Sequence, residues 1–221
     1  MPYLPYILQD FWEIGSDPEI IIGLIKKHLS NLNNPKVLDL GCGKGAVSIH
    51  IALQINCECY GIDAISEFIS FSRSKAAECG VDTLCEFEVG DIREKVKYLG
   101  KYDVIILGAI GQVFGNYLET LTVLNNNLKE AGIVIIDDGY TEDESSLKHD
   151  HVFRKSDLKN QISEAGMQLL DEVKSSGDIN VTANYDKEYN NLLKRCQELI
   201  HKYPDKAEVF INSSLISLDG E

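Results

Sequence analysis

Three carboxylates and one glycine-rich turn carry most of the chemistry in this sequence. The turn is Asp39-Leu40-Gly41-Cys42-Gly43-Lys44-Gly45-Ala46. Glycines at 41, 43 and 45 permit a tight bend and let main chain approach a ligand with no Cβ atoms in the way. A helix starting there offers unpaired N–H groups to something anionic. The run also fits the dinucleotide fingerprint G-x-G-x-x-G/A, with Ala46 in the last place. Asp39 separates two kinds of ligand. Its carboxylate would oppose a pyrophosphate with two negative charges, but suits a ligand carrying an ammonium, a sulfonium and a single carboxylate. Asp63 lies 22 residues beyond Gly41, where a carboxylate accepts hydrogen bonds from both hydroxyls of a ribose. It can equally cap the helix that follows. In Val89-Gly90-Asp91-Ile92-Arg93, Asp91 can accept from the exocyclic amine of adenine while Ile92 covers the ring, although Gly-Asp is also an ordinary turn.

The elements around these residues explain why they could converge. Short apolar runs at Lys36–Leu40, Cys57–Ile62, Thr83–Val89, Tyr102–Leu107, Ile133–Ile136 and Met167–Val173 read as strands. The fourth is almost continuously apolar, as a strand buried on both faces should be. Between them, helical periodicity covers about Ala46–Gln54, Ser66–Cys79, Asn116–Lys129 and Ser156–Ala165, with glycines 80, 132 and 166 as stops. An earlier helix begins at the capping box Ser16-Asp17-Pro18-Glu19 and carries Ile21, Leu24, Ile25 and Leu29 as its apolar stripe. Alternation of this kind predicts an α/β fold: a doubly wound, Rossmann-like, mainly parallel sheet in a three-layer α/β/α arrangement. Ligands of such sheets bind beyond the carboxyl ends of the strands, near the switch in strand order. Gly108, at the fourth strand end, leaves room for a reacting centre.

The ordered runs VLDLGCGKGAVSIHIA, YGIDAI, VGDIRE, YDVIILGAIGQ and LKEAGIVIIDDGY resemble the motifs of class I S-adenosylmethionine-dependent methyltransferases. The likeness is to their small-molecule branch, the ubiquinone/menaquinone-methyltransferase-like group, and spans about Lys36–Tyr140. It implies S-adenosylmethionine as cofactor, a small-molecule methyl acceptor, and a seventh, antiparallel strand. It also implies cofactor contacts at Asp39, Gly41, Cys42, Gly43, Gly45, Asp63, Ala64, Asp91, Ile92 and Gly108. An N-terminal segment often folds over the cofactor in this family; Tyr3, Tyr6, Phe11 and Trp12 suit that role, or form a packing strip. The competing readings are a non-catalytic S-adenosylmethionine-binding protein and an NAD-dependent oxidoreductase. Asp39, Gly45 and the Gly90-Asp91 pair weigh against the second.

The acceptor side is less legible. Trp12, Tyr140 and His149 are candidate substrate contacts, Asp138 and His151 join Tyr140 and His149 as candidate bases, and no catalytic residue can be named. His149-Asp150-His151 lies in an acidic stretch and reads as solvated, so no metal is expected. Residues 141–146 suit either a mobile lid or a solvated loop. A net charge of −14 repels a phosphate backbone, which makes nucleic acid a poor partner. With no membrane-length apolar run and no basic-then-apolar leader, the expectation is a cytoplasmic protein that does not enter membranes. Six cysteines without framework spacing are expected to be reduced thiols, and Cys57 and Cys59 to share one strand face. The length suits one methyltransferase domain, 1–221, with a cap segment (1–35), a cofactor-binding core (36–174) and a helical C-terminal segment (175–221). Asn184–Tyr203 reads as an amphipathic helix. Ser214–Leu218 is the one candidate for a seventh strand. Without it, strand five or six keeps an open apolar edge that invites a homodimer.

Overall fold

The long apolar runs become the middle of a parallel sheet. The computed structural model describes residues 3–30, 33–145, 152–174 and 182–215, with main chain alone at 182–188 and 212–215. Strands β1 (Lys36–Leu40), β2 (Glu58–Asp63), β3 (Cys85–Val89), β4 (Tyr102–Gly108) and β5 (Leu128–Asp137) form one sheet in the order β3-β2-β1-β4-β5. Every pairing in it is parallel. The chain winds outward from β1 to β3, then crosses to β4, so the switch in order falls between β1 and β4.

Helices cover both faces. α2 (Pro18–His28), α3 (Ala46–Ile55), α4 (Ser66–Glu78), α5 (Ile92–Lys95), α6 (Tyr117–Asn125) and α7 (Lys155–Glu164) accompany the strands, after a short α1 (Leu4–Ile7). Leu38, Leu40, Ile62, Ile105 and Leu107 point to one face, where Ile92, Val96 and Leu124 complete a core cluster. By the two-residue pleat, Val37, Asp39, Val104 and Ile106 point to the other face, and all four are buried. Cys57 and Cys59 bring their sulfurs to 3.7 Å, on one side as the spacing predicts.

Two compact units divide the chain: residues 13–173, and residues 1–12 with 174–221. The expected cap segment is therefore split, since α2 belongs to the larger unit. In the smaller unit α8 (Thr182–Lys202), α9 (Ala207–Leu215) and α1 share a core of Ile7, Cys196, Leu199 and Phe210. Tyr3 meets Phe210 edge-on, with ring centroids 5.0 Å apart. The Tyr6 hydroxyl donates to Glu198 at 2.6 Å. These two aromatics serve packing within this unit.

Four boundaries differ from expectation. α2 is capped by Asp17, whose side chain accepts from the Glu19 amide at 2.8 Å; Ser16 takes no part. α6 stops at Asn125 rather than Lys129, because Leu128 already pairs with Tyr102 and β5 bulges before Ile133 meets Val104. Lys129 is drawn into that bulge by Asp103, 2.8 Å away. Met167–Val173 joins no ladder; Leu169, Leu170 and Val173 are exposed, and Lys27 and His28 hold Asp171. The extra ladder is instead the two-residue pair β6 (Tyr140–Thr141) and β7 (Phe153–Arg154). Finally, Ser214 and Leu215 close α9 rather than forming a strand, and 216–218 lie outside the described residues. Among the described residues β5 has no strand partner on the side away from β4.

Candidate functional site

The β1 turn is built from backbone that side chains would obstruct. Gly41, Gly43 and Gly45 have φ of +78°, +53° and +74°, the left-handed region where L-residues are strained. The Gly41 and Cys42 amides both donate to the Ile62 carbonyl, at 2.8 and 3.1 Å, which ties the turn to β2. Gly45 caps α3, and a Cβ there would lie 2.9 Å from both Phe87 and Ser72. Asp63 clasps the two strand tips. Its Oδ2 accepts from the Gly43 amide at 2.9 Å and its Oδ1 from the Ile65 amide at 2.8 Å. Each oxygen keeps a lone pair for a ligand hydroxyl.

Asp39 sits beneath this turn with 3% of its surface exposed. Burial pushes its carboxyl up to about 6, against the Ser48 hydroxyl that donates to Oδ2 at 2.6 Å and with the charge of Asp63 adding to the rise. Such a carboxylate gains most from a cation placed above it. Cys42 turns inward, close to where a side chain on Gly61 would stand. Burial holds its thiol well above the ordinary range, so the turn offers Cys42 main chain rather than sulfur. Ala64 is exposed beside Asp63.

At the β3 end Asp91 caps α5 and is gripped by Arg93, with Nε–Oδ1 at 2.9 Å and Nη2–Oδ2 at 2.6 Å. The guanidinium lowers the Asp91 carboxyl to about 2. Ile92 packs into the core cluster instead of lying open beside Asp91. β4 ends at Gly108, and Ala109 begins a loop with φ +52°. The segment preceding α2 crosses the same tips. A Cβ on Gly43 would meet Ile14 at 3.1 Å, one on Gly15 would meet Ala109 at 3.3 Å, and one on Gly108 would meet Ser16 Oγ at 2.5 Å.

The acceptor candidates do not gather so well. The Tyr140 hydroxyl donates to Glu172, and Lys155 bridges Glu172 and the Tyr140 oxygen. Trp12 is half-buried at the end of the smaller unit's N-terminal stretch. His149 and His151 lie outside the described residues. Residues 141–145 are pinned: Asp143 accepts from the Ser156 amide and hydroxyl, and Arg154 binds the carbonyls of Glu142, Asp143 and Ser145. A shallow open depression lies beside the β4 and β5 ends, with Tyr117, Thr120, Gln112 and Asp138 on its walls. The Tyr117 hydroxyl donates to Asp138 at 3.3 Å, and burial, with that charge beside it, pushes the Tyr117 phenol up. The sequence reading gave no site role to Tyr117, Ser16 or Arg93, which stand at or beside the strand ends. The Tyr117 position after the capping residue Asn116 was a signal for a helix start, not for a pocket.

Comparison with known proteins bears on the family and the fold. A family profile described as a methyltransferase domain matches residues 31–204. A release factor glutamine methyltransferase of Buchnera aphidicola is 39% identical over 75 residues, 33% of this chain and 27% of that protein. Ajmaline N-methyltransferase of Rauvolfia serpentina is 30% identical over 70 residues, 32% of this chain and 24% of that protein. The chain thus matches about a quarter of the length of these curated relatives. The crystal structure of a SAM-dependent methyltransferase from Geobacter sulfurreducens, in complex with S-adenosylhomocysteine, superposes with a TM-score of 0.75. That superposition has 17% identity and covers 99% of this chain and 90% of the other, which speaks for the fold. The chain belongs to the methyltransferase-domain family, the class I S-adenosylmethionine-dependent methyltransferases.

Proposed function

We propose that this chain binds S-adenosylmethionine across the tips of β1 to β4 and transfers its methyl group to a small-molecule acceptor by in-line displacement. The observation that carries the reading is the Asp63 clasp. One carboxylate ties the glycine turn to the β2 end and still presents two oxygens. The ribose hydroxyls belong there. Gly41, Cys42, Gly43 and Gly45 offer main chain without obstruction, Asp39 supplies the counter-charge below, and Asp91, steered by Arg93, takes the adenine amine. Ile92 shapes the floor, and Ala64 and Gly108 flank the bound molecule. When bound, the cofactor supplies an already activated methyl group, so the chain's task is alignment and exclusion of water. A base is needed for neutral amine or hydroxyl nucleophiles alone; Asp138, oriented by Tyr117, is the best placed. Trp12, Tyr140 and His149 remain proposed acceptor contacts.

A small acceptor is favoured by the similarity to ajmaline N-methyltransferase and by the negative charge that disfavours nucleic acid. No helix among the described residues is long and apolar enough to cross a membrane. We place the protein in the cytoplasm, working as one methyltransferase domain, and its open β5 edge at a homodimer contact. The test of the central reading is Asp63→Ala by calorimetry with S-adenosylhomocysteine. Two charge-assisted hydrogen bonds should be lost, weakening affinity about 100-fold or more, while circular dichroism reports an intact fold. Unchanged affinity overturns the assignment. Greater thermal stabilisation by NADH than by S-adenosylmethionine would favour an oxidoreductase instead.

A further inference from the structure

Among the described residues the Ser16 hydroxyl has no hydrogen-bond partner. The sequence places it in a capping box, yet Asp17 caps α2. Ser16 is 6% exposed, and its Oγ has no hydrogen-bond partner among the described residues. Buried hydroxyls are almost always paired, because leaving one unpaired is costly. Its position shows what it waits for. Oγ stands 2.5 Å from where a side chain on Gly108 would begin, so the missing side chain of Gly108 makes room for it. Gly108 and Ile106 share a face of β4, and Ile106 pairs with Asp39. The orphan hydroxyl and the buried acid therefore lie on one side of the sheet, at the tips of the two strands that flank the switch in order.

The chain leading to Ser16 is shaped for this place. Gly15 has φ +96° and approaches Ala109, while Ile14 lies against Gly43. Three consecutive residues thus touch both strand tips. We infer that Ser16 donates a hydrogen bond to the carboxylate of the cofactor's amino-acid tail, closing the β1–β4 crevice over that end of the molecule. The division follows from charge. The ammonium of the tail finds its counter-charge in Asp39, and the carboxylate, which the acids on the sheet would repel, needs an O–H donor. The inference rests on the S-adenosylmethionine reading proposed above and adds a residue to it.

The test compares two ligands that differ in the tail. S-adenosylhomocysteine carries the aminocarboxylate, whereas 5′-methylthioadenosine ends at the sulfur. In Ser16→Ala, calorimetry should show S-adenosylhomocysteine binding at least about tenfold more weakly, with 5′-methylthioadenosine unchanged from the wild type. The unliganded variant should melt no lower than the wild type, because it has lost an unpaired polar atom. In the wild type, the amides of residues 14–16 should gain hydrogen-exchange protection with S-adenosylhomocysteine and not with 5′-methylthioadenosine. Equal weakening of both ligands, or of neither, overturns the assignment and leaves Ser16 as a packing residue or a water site. If Asp63→Ala also leaves both ligands unaffected, it is the cofactor reading that has failed.

Discussion

Asp39→Asn should make the protein more stable and a poorer cofactor binder, with both effects set by pH. The Asp39 carboxyl ionises at about 6 in the fold against 3.8 for the free side chain, chiefly because it is buried. At 1.36 kcal/mol per unit, holding the ionised group costs about 3 kcal/mol at pH 7. Below about pH 4 the group is protonated in both folded and unfolded chains, and the cost vanishes. Between about pH 4 and 6 the folded chain keeps a proton that the unfolded chain releases, so stability falls as pH rises. Above 6 both are ionised and the cost is constant. Asparagine has the same shape and can still accept from the Ser48 hydroxyl, without a charge to desolvate. The stability gap between Asp39→Asn and wild type should therefore open from near zero at pH 4 to at most about 3 kcal/mol at pH 7.

Urea unfolding of both proteins at pH 4, 5, 6 and 7 measures this gap, and the other titrating groups cancel in the difference. Calorimetry supplies the functional half. A bound cation favours ionised Asp39, so the wild type should hold S-adenosylmethionine more tightly as pH rises through 6, and the asparagine variant should bind weakly with little pH dependence. A gap that stays constant across the four pH values would refute the reasoning. The raised ionisation would then not be a property of the fold.

Two further substitutions test the backbone of the site. Gly45→Ala combines a φ of +74° with contacts of 2.9 Å to Phe87 and Ser72; it should cost about 3 kcal/mol, read as a fall of near 10 °C in melting temperature. Ala109→Gly relieves a left-handed alanine and should gain about 1 kcal/mol in urea unfolding; destabilisation would show that the Ala109 side chain contributes more by packing on the Ile14–Ser16 segment than its backbone costs.

The parts of the fold that were legible beforehand are those determined locally. The run Tyr102–Leu107 could be read as a central strand because burial on both faces demands apolar residues at nearly every position, Asp103 being the exception. The β1 turn could be read because three alternating glycines suit a backbone with φ > 0. Asp63 and Asp91 were placed by strand ends alone. What failed depends on partners distant in sequence. Leu128–Gly132 has a composition compatible with helix, yet Tyr102 and Asp103 recruit it to β5. Met167–Val173 has alternating apolar residues, but Lys27 and His28 hold Asp171 where no ladder forms.

Ser16 shows the same limit at the site itself. Ser16 and Asp17 are both good helix caps; Pro18, favoured at the first helical position, points to Asp17, which is the cap the structure shows. What the local pattern could not show is where Ser16 then goes: Gly108, 92 residues away, has no side chain where the serine hydroxyl sits against the β4 tip. A local pattern can thus be matched correctly in composition and wrongly in assignment by one residue. Here the residue left out of the cap is buried against the end of β4. The mismatch between motif and geometry is therefore itself a pointer to the site, because a polar group released from a structural task and kept buried must have another partner to justify its place.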